Sequence, residues 1–448
     1  MLVLVIIAAS CLVTFSPVRA EDRTIVVPDD YPTIESAIGN ATDGNTIFIK
    51  NGTYEGPVNQ TLVIDEAISI VGEKSDSTII NLQPAYNVTW ILGTPIFQYS
   101  DSMVINANDV KITNLTMHYT GLIKANGDRL QIIGNNITTF TMNSFFLKGS
   151  NCNITNNSLS ASLNVKGSSN FIKQNIFDEL TLQSANQNFI ESNAFQYLKL
   201  YSSNKNVISG NSVSARYGLF AAEIDNSNNN CLDSNYINGL SLSNSNDNSF
   251  AKNNITSSII SRMYDYNIEV SEIDPTMLSS YSIALVSSNS SIFCFNTIAN
   301  VIINDQHSHN NMFYANSFVG PALNDGIVRI SNLKVNNNFW DNGSIGNYWS
   351  DYLKKYPNAS EISNSGIGNT PYVVSPSYSE FDPIAYIDHF PLIHPFSEEV
   401  SKEPEPFPTA FVVVVSAASV ALVGIGLLVY FKKRKHQSIL SLKISNTN

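Results

Sequence analysis

Residues 170–177 read NFIKQNIF, residues 188–195 read NFIESNAF, and residues 206–213 read NVISGNSV. The phrase returns at a fixed step of 18 residues, with Asn held and the positions between allowed to drift. Taking the second Asn of each phrase as an anchor extends the series in both directions: Asn135, Asn157, Asn175, Asn193, Asn211, Asn235, Asn253, and, past an interruption, Asn296 and Asn316. A period of about 20 residues is that of a stacked solenoid.

The columns around the anchor identify the kind of coil. Three residues before it stand Ile132, Ile154, Ile172, Ile190, Ile208, Leu232, Phe250, Phe293 and Phe313. Two residues after it stand Ile137, Leu159, Phe177, Phe195, Val213, Ile237, Ile255, Ile298 and Phe318. Neither column holds a polar residue. Further apolar pairs at five and seven after the anchor (Phe140 with Met142, Leu180 with Leu182, Leu198 with Leu200, Leu240 with Leu242, Val301 with Ile303) have the two-residue spacing of a strand. Helical repeats are longer and space apolar residues by three and four, and a leucine-rich repeat would hold Leu at nearly every inward site. The expectation is an all-β, right-handed parallel β-helix, each coil about 4.8 Å above the last. Inward positions are apolar because neighbouring coils bury them together. The Asn columns are read as structural, supplying corners with φ > 0 and hydrogen bonds up the stack.

The ends of the chain set its context. Residues 1–20 have the apolar core and small-residue end of a signal peptide. Residues 409–431 are uncharged and long enough to cross a bilayer as a helix, and KKRK follows at 432–435, which favours a cytoplasmic tail over 432–448. The reading is a single-pass cell-membrane protein, anchored in the lipid bilayer through 409–431, with its N-terminal part extracellular. The chain has 25 basic and 37 acidic residues. Arg19, Lys432, Lys433, Arg434, Lys435 and Lys443 lie at the ends, leaving 19 basic against 37 acidic residues, a net −18, in the part between. That excludes a nucleic-acid partner. Cys152, Cys231 and Cys294 are separated by two to four coils, beyond the roughly 7 Å that a disulfide spans, and are read as free thiols.

Before the coils, residues 21–60 read as a cap. A strand (TIVVPDD) leads to a short helix with Pro32 at its start and Ile34, Ala37, Ile38 and Ala41 on one face, then to GNTIFIKNGTY. Coils fill 61–340, with an insertion near 260–281. A closing segment over 341–396 and a Pro/Glu linker over 397–408 follow. The opening VPDDYPTIESAIGNATDGNTIFIKNGTY resembles that of pectin-lyase-like right-handed β-helix proteins. NFWDNGSIGNYWSDY, with GIGNTPYVV and HFPLIHPF, is similar to the closing segment of NosD-like proteins, known as periplasmic copper-binding β-helix proteins and common on archaeal cell surfaces. The resemblance implies a surface protein of that type, with copper as the group its name suggests. Relatives carry an Asp-rich, calcium-loop-like run before GIG; here the run is YPNASEISNSGIGN, nearly free of carboxylates.

Three functional classes remain open. A polysaccharide lyase or hydrolase needs clustered carboxylates on one outer face. Asp178 and Glu179 are adjacent, so on a regular strand they face opposite sides. Glu223 with Asp225, and Asp265 with Glu269, are the other acidic pairs, and no catalytic residue is assigned. For copper, His307, His309 and Asp305 share strand parity, with Met312 nearby, but a corner-like composition works against their convergence. His118, His389 and His394 are scattered. For a surface glycoprotein that binds polysaccharide or surface glycan, Asn51, Asn59, Asn87, Asn342 and Asn358 are the candidate glycosylation sequons. Tyr201, Tyr217 and Tyr314 are candidate sugar-stacking platforms. The preferred role is non-catalytic carbohydrate binding, with no resident cofactor.

Overall fold

The computed structural model of the chain describes residues 23–91, 94–139, 144–215, 220–256, 282–303, 307–320, 327–330, 338–375 and 386–396. The signal-like segment, the 260–281 insertion, the linker, residues 409–448, Asp305, Tyr217, Asp265, Glu269, Phe140 and Met142 lie outside these. Among the described residues no helix is long and apolar enough to cross a membrane.

The chain forms a right-handed parallel β-solenoid. One ladder is a 13-stranded sheet that begins with Thr24–Val27, Thr46–Ile49 and Ser69–Gly72 and ends at Met312–Tyr314. Its register stacks the first apolar column: Ile132 on Ile154, Ile172, Ile190, Ile208, Leu232, Phe250, Phe293 and Phe313. Two further ladders belong to one 23-stranded sheet. Phe177, Phe195, Val213, Ile237, Ile255, Ile298 and Phe318 stack along one of them. Leu180, Leu198, Ala222, Leu240, Ile283 and Val301 stack along the other. All these side chains are buried in a single core. Phe250, Phe293, Phe313 and Trp340 stack face to face at 4.6, 4.5 and 4.7 Å between ring centres.

Of the two roles expected of the Asn columns, the anchors fill the hydrogen-bonding one and not the left-handed corner. Each anchor Asn is buried; Asn135 Oδ1 accepts from the Leu115 N–H, and from Asn157 onward each Oδ1 accepts the backbone N–H and an Nδ2–H of the Asn one coil earlier. The ladder runs from Asn135 through Asn157, Asn175, Asn193, Asn211, Asn235, Asn253, Asn296 and Asn316 to Asn347. A second Asn ladder runs from Asn170 through Asn188, Asn206 and Asn230 to Asn248. The left-handed φ values belong to the residues just before the anchors: Gln174, Ser192, Gly210, Ser234, Lys252, Phe295 and Ala315. Gln174, Ser192, Gly210, Ser234 and Lys252 are exposed, Phe295 is half-buried and Ala315 is buried, so the identity of this position drifts, while Asn is required one step later as a simultaneous donor and acceptor that can bridge coils.

The first Asn ladder ends on Asp388. Its Oδ2 accepts from the Asn347 N–H at 2.7 Å and from Trp349 Nε1 at 2.9 Å, and Oδ1 accepts from the Phe390 N–H at 3.0 Å. Burial pushes the Asp388 carboxyl up to about 7, against these hydrogen bonds, which favour the charged form. Near the other end, the helix Ile34–Gly39 is N-capped by Thr33, whose side chain accepts from the Ser36 N–H, and it buries Ile34 and Ala37. Thr33, rather than Pro32, occupies the capping position.

The strands Ile176–Gln183 and Ala194–Tyr201 each serve both ladders of the larger sheet. To do so they bend between Phe177 and Leu180, and Asp178 and Glu179 both face outward. This corrects the expectation that adjacent carboxylates face opposite sides, which holds only for an unbent strand.

Candidate functional site

One coil carries an outgrowth. Between Leu82 and Asp101 the chain leaves the solenoid as an antiparallel hairpin, Tyr86–Ile91 paired with Thr94–Tyr99. Tyr, Val, Thr, Trp, Ile and Phe dominate it, residues that suit strands. Residues directly opposite one another share a face. One face therefore holds Tyr86 with Tyr99, Val88 with Phe97 and Trp90 with Pro95, all apolar or aromatic. The other holds Asn87 with Gln98, Thr89 with Ile96 and Ile91 with Thr94. Trp90 is 68% exposed, Tyr86 53% and Phe97 50%. The rings of Tyr86, Phe97 and Tyr99 form a cluster with centres 5.6–6.3 Å apart.

The hairpin is fixed at its base. The Ser100 N–H donates to Ala85 O at 2.8 Å, and Gly121 of the next coil lies directly against this turn. A Cβ on Gly121 would fall 1.9 Å from Ser100 O, so only glycine lets the two segments meet.

Where the hairpin rises from the wall, Tyr86 and Tyr99 flank a cleft of about 380 Å³ lined also by Asn59, Asn81, Gln83, His118, Tyr119 and Thr120. Strand register places Glu55, Asn81 and His118 side by side on successive coils. Glu55 accepts from Asn81 Nδ2 at 2.7 Å and from Gln83 Nε2 at 3.4 Å, which orients both amides. The cleft thus joins an aromatic wall to a set of amide, hydroxyl and imidazole hydrogen-bonding groups. An exposed aromatic patch beside such a concavity is the usual form of a binding site.

A second cluster sits on the outer face of the doubly paired strands. Lys199 Nζ lies 2.8 Å from Glu179 Oε2, the Thr181 hydroxyl donates to Glu179 Oε1 at 2.8 Å, and the Tyr201 hydroxyl donates to Glu223 Oε2 at 3.5 Å. Partial burial alone would lower the Lys199 ammonium, but the hydrogen bond and charge of Glu179 raise it on balance. Burial and the Glu223 charge likewise raise the Tyr201 hydroxyl. A general base needs the opposite shift, towards neutrality.

The candidates read from sequence are not brought together. His307 is exposed and His309 half-buried, flanking the inward Ser308, and Asp305 is outside the described residues. Among the described residues no group of three His, Cys, Asp or Glu side chains is placed to hold a metal. His389 Nδ1 lies 3.0 Å from Asp341 Oδ2, and His118 lies in the cleft. The Tyr201 hydroxyl donates to Glu223, and Tyr314 packs edge-on against Phe295; both rings are half-buried. Lys173 pairs with Glu191 across one coil at 3.1 Å. Cys152, Cys231 and Cys294 are free thiols. Among the sequons, Asn51 Oδ1 already accepts from Ser77, and Asn342 Oδ1 closes a local turn. Asn59 lines the cleft, whereas the side chains of Asn87 and Asn358 are exposed. The aromatic face of the hairpin was missed in the sequence, although YNVTWI followed by TPIFQY shows alternation with no anchor Asn.

No protein-family model matches the chain, and no curated protein matches it. Solved structures resemble it in fold. A mannuronan C-5 epimerase A-module from Azotobacter vinelandii shares 11% identity at a TM-score of 0.46, over 68% of this chain and 91% of that one. An alginate lyase in complex with a trisaccharide shares 12% at 0.38, over 70% and 81%. An α-1,3-glucanase catalytic domain in complex with nigerose shares 13% at 0.39, over 74% and 69%. Likeness at this level concerns the solenoid and transfers no activity.

Proposed function

We propose that this chain is a carbohydrate-binding surface protein whose site is the cleft beneath the hairpin. The observation that supports this is the aromatic face of Tyr86, Phe97 and Tyr99 beside a wall of Asn, Gln, His and Thr side chains. Flat apolar rings suit the C–H faces of sugar rings, and side-chain amides both donate and accept, as sugar hydroxyls do. The reading is of a non-catalytic, NosD-like type, with the short helix sealing the first coil. Residues 1–20 serve as signal and 409–431 as the membrane span, the solenoid facing outwards. Asn87 and Asn358 are the favoured glycosylation sites; Asn59 stays bare, because a glycan there would fill the cleft.

A glycan array probed with the full chain tests the reading. Binding that falls at least tenfold in Tyr86→Ala/Phe97→Ala, with melting temperature kept, supports it; no binding to any glycan refutes it. Copper titration of wild type and of His307→Ala/His309→Ala runs beside it, and stoichiometric binding lost in the double variant would move the protein to the copper class. The lyase or hydrolase reading rests on the Glu179–Lys199–Tyr201–Glu223 cluster, and product release from a bound glycan would revive it. Protease added to intact cells tests topology: removal of the solenoid is expected, and its full protection would refute the orientation.

A further inference from the structure

The charge around the cleft selects its ligand within the carbohydrate reading, on which this inference rests. We infer that the cleft accepts uncharged glycans and rejects those bearing carboxylates or sulfates. No Lys, Arg, Asp or Glu is among the described residues that line it. A negative charge touches the lining: Glu55 accepts hydrogen bonds from Asn81 and Gln83. Residues 23–139, which contain the cleft, carry six basic against twelve acidic side chains, a net −6.

The basic residues of this region are mostly committed to acids. Lys124 pairs with Asp101 at 2.7 Å, Arg129 with Asp109 at 2.7 Å, Lys50 with Asp29 at 2.5 Å and Lys74 with Asp76 at 2.9 Å. A sugar carboxylate is bound well by a guanidinium fork or an ammonium. Here it would leave water to face amides, tyrosines and a carboxylate, with no cation to replace its hydration. A hydroxyl or N-acetyl group loses less on leaving water, and Asn59, Asn81, Gln83 and Thr120 supply both donors and acceptors to it. The aromatic wall is indifferent to charge, so discrimination falls to the polar wall. His118 is the one imidazole there, so the test runs at pH 8, above the usual imidazole range.

The test is calorimetric titration of the full chain with neutral cello-, malto-, chito- and manno-hexasaccharides, each beside its C6-carboxylated counterpart, at low and at high salt. At least one neutral oligosaccharide should bind, and its carboxylated form should bind at least 30-fold more weakly at low salt. Salt should narrow the gap, because screening weakens the repulsion. Gln83→Lys, a change at an exposed position, should recover at least tenfold for the carboxylated ligand. Equal or tighter binding of the carboxylated form by the wild type overturns the inference and leaves the carbohydrate reading standing. Failure of every ligand of both kinds overturns the two together.

Discussion

Asn193 offers the sharpest test of what holds the coils together. Its Nδ2 donates to Ile172 O at 2.8 Å and to Asn211 Oδ1 at 3.0 Å, and its Oδ1 accepts from Asn175 N at 2.9 Å and Asn175 Nδ2 at 3.0 Å. Asn193→Ala leaves the Asn175 N–H without this acceptor in a site that is 2% exposed at Asn193. Ile172 O, Asn211 Oδ1 and Asn175 Nδ2 each lose one bond and keep another. An orphaned buried N–H costs about 1–3 kcal/mol and each of the three lost bonds about 0.5–1.5 kcal/mol, so the change should cost about 2.5–7.5 kcal/mol. Asn204 is the control. Its Oδ1 accepts from Asn228 N at 2.7 Å, but at a half-buried position where water can take over, so Asn204→Ala should cost under about 1 kcal/mol. Asn193→Gly separates the two explanations of the column. A left-handed corner would accept glycine at no cost, whereas a hydrogen-bond ladder loses as much with Gly as with Ala. Urea unfolding followed by far-UV circular dichroism gives the ranking. If Asn193→Gly is as stable as the wild type, or if Asn193→Ala is no worse than Asn204→Ala, the ladder account is wrong.

Three further expectations follow from the same packing. Asp388 has its folded carboxyl raised to about 7 from an ordinary 3.8, so folding takes up a proton between these values. Stability from this group is fully present below pH 3.8 and is lost as pH rises to about 7, by at most about 4 kcal/mol; Asp388→Asn should remove that part of the pH profile, measured by denaturation at pH 4, 5.5 and 7.5. Gly121→Ala should cost about 1–3 kcal/mol by overpacking the base of the hairpin, and should weaken ligand binding at Tyr86 and Tyr99; unchanged melting and binding would show that the hairpin does not rest there. Ile190→Asp, placing a charge where exposure is 0%, should lower the melting temperature by many degrees, while Glu191→Ala, which breaks only the surface pair with Lys173, should change stability by under about 1 kcal/mol; equal values would refute the facing of the strand.

The sequence by itself determined the solenoid. Ile172, Ile190 and Ile208 recur in one column because parallel coils bury like against like, and a strict period cannot be satisfied any other way. It also marked the Asn columns as structural and offered two roles for them, left-handed corner and hydrogen-bond ladder, which only three dimensions separated. The left-handed residue is Ser192 and the bridging residue Asn193, a distinction that depends on knowing which amide lies under which carbonyl. The outward pairing of Asp178 and Glu179 depended on a bend that lets one strand serve two ladders, which two-residue periodicity does not encode. The cleft was legible least of all. Its walls come from residues 59, 81–84, 86, 99 and 118–120, on different coils and on an outgrowth, and their meeting is set by how many residues each coil holds before it closes. A repeat specifies its own period because every coil repeats the same burial. A site placed at a departure from that period has no second copy in the sequence to reveal it, and exists only once the stack has fixed which coils are neighbours.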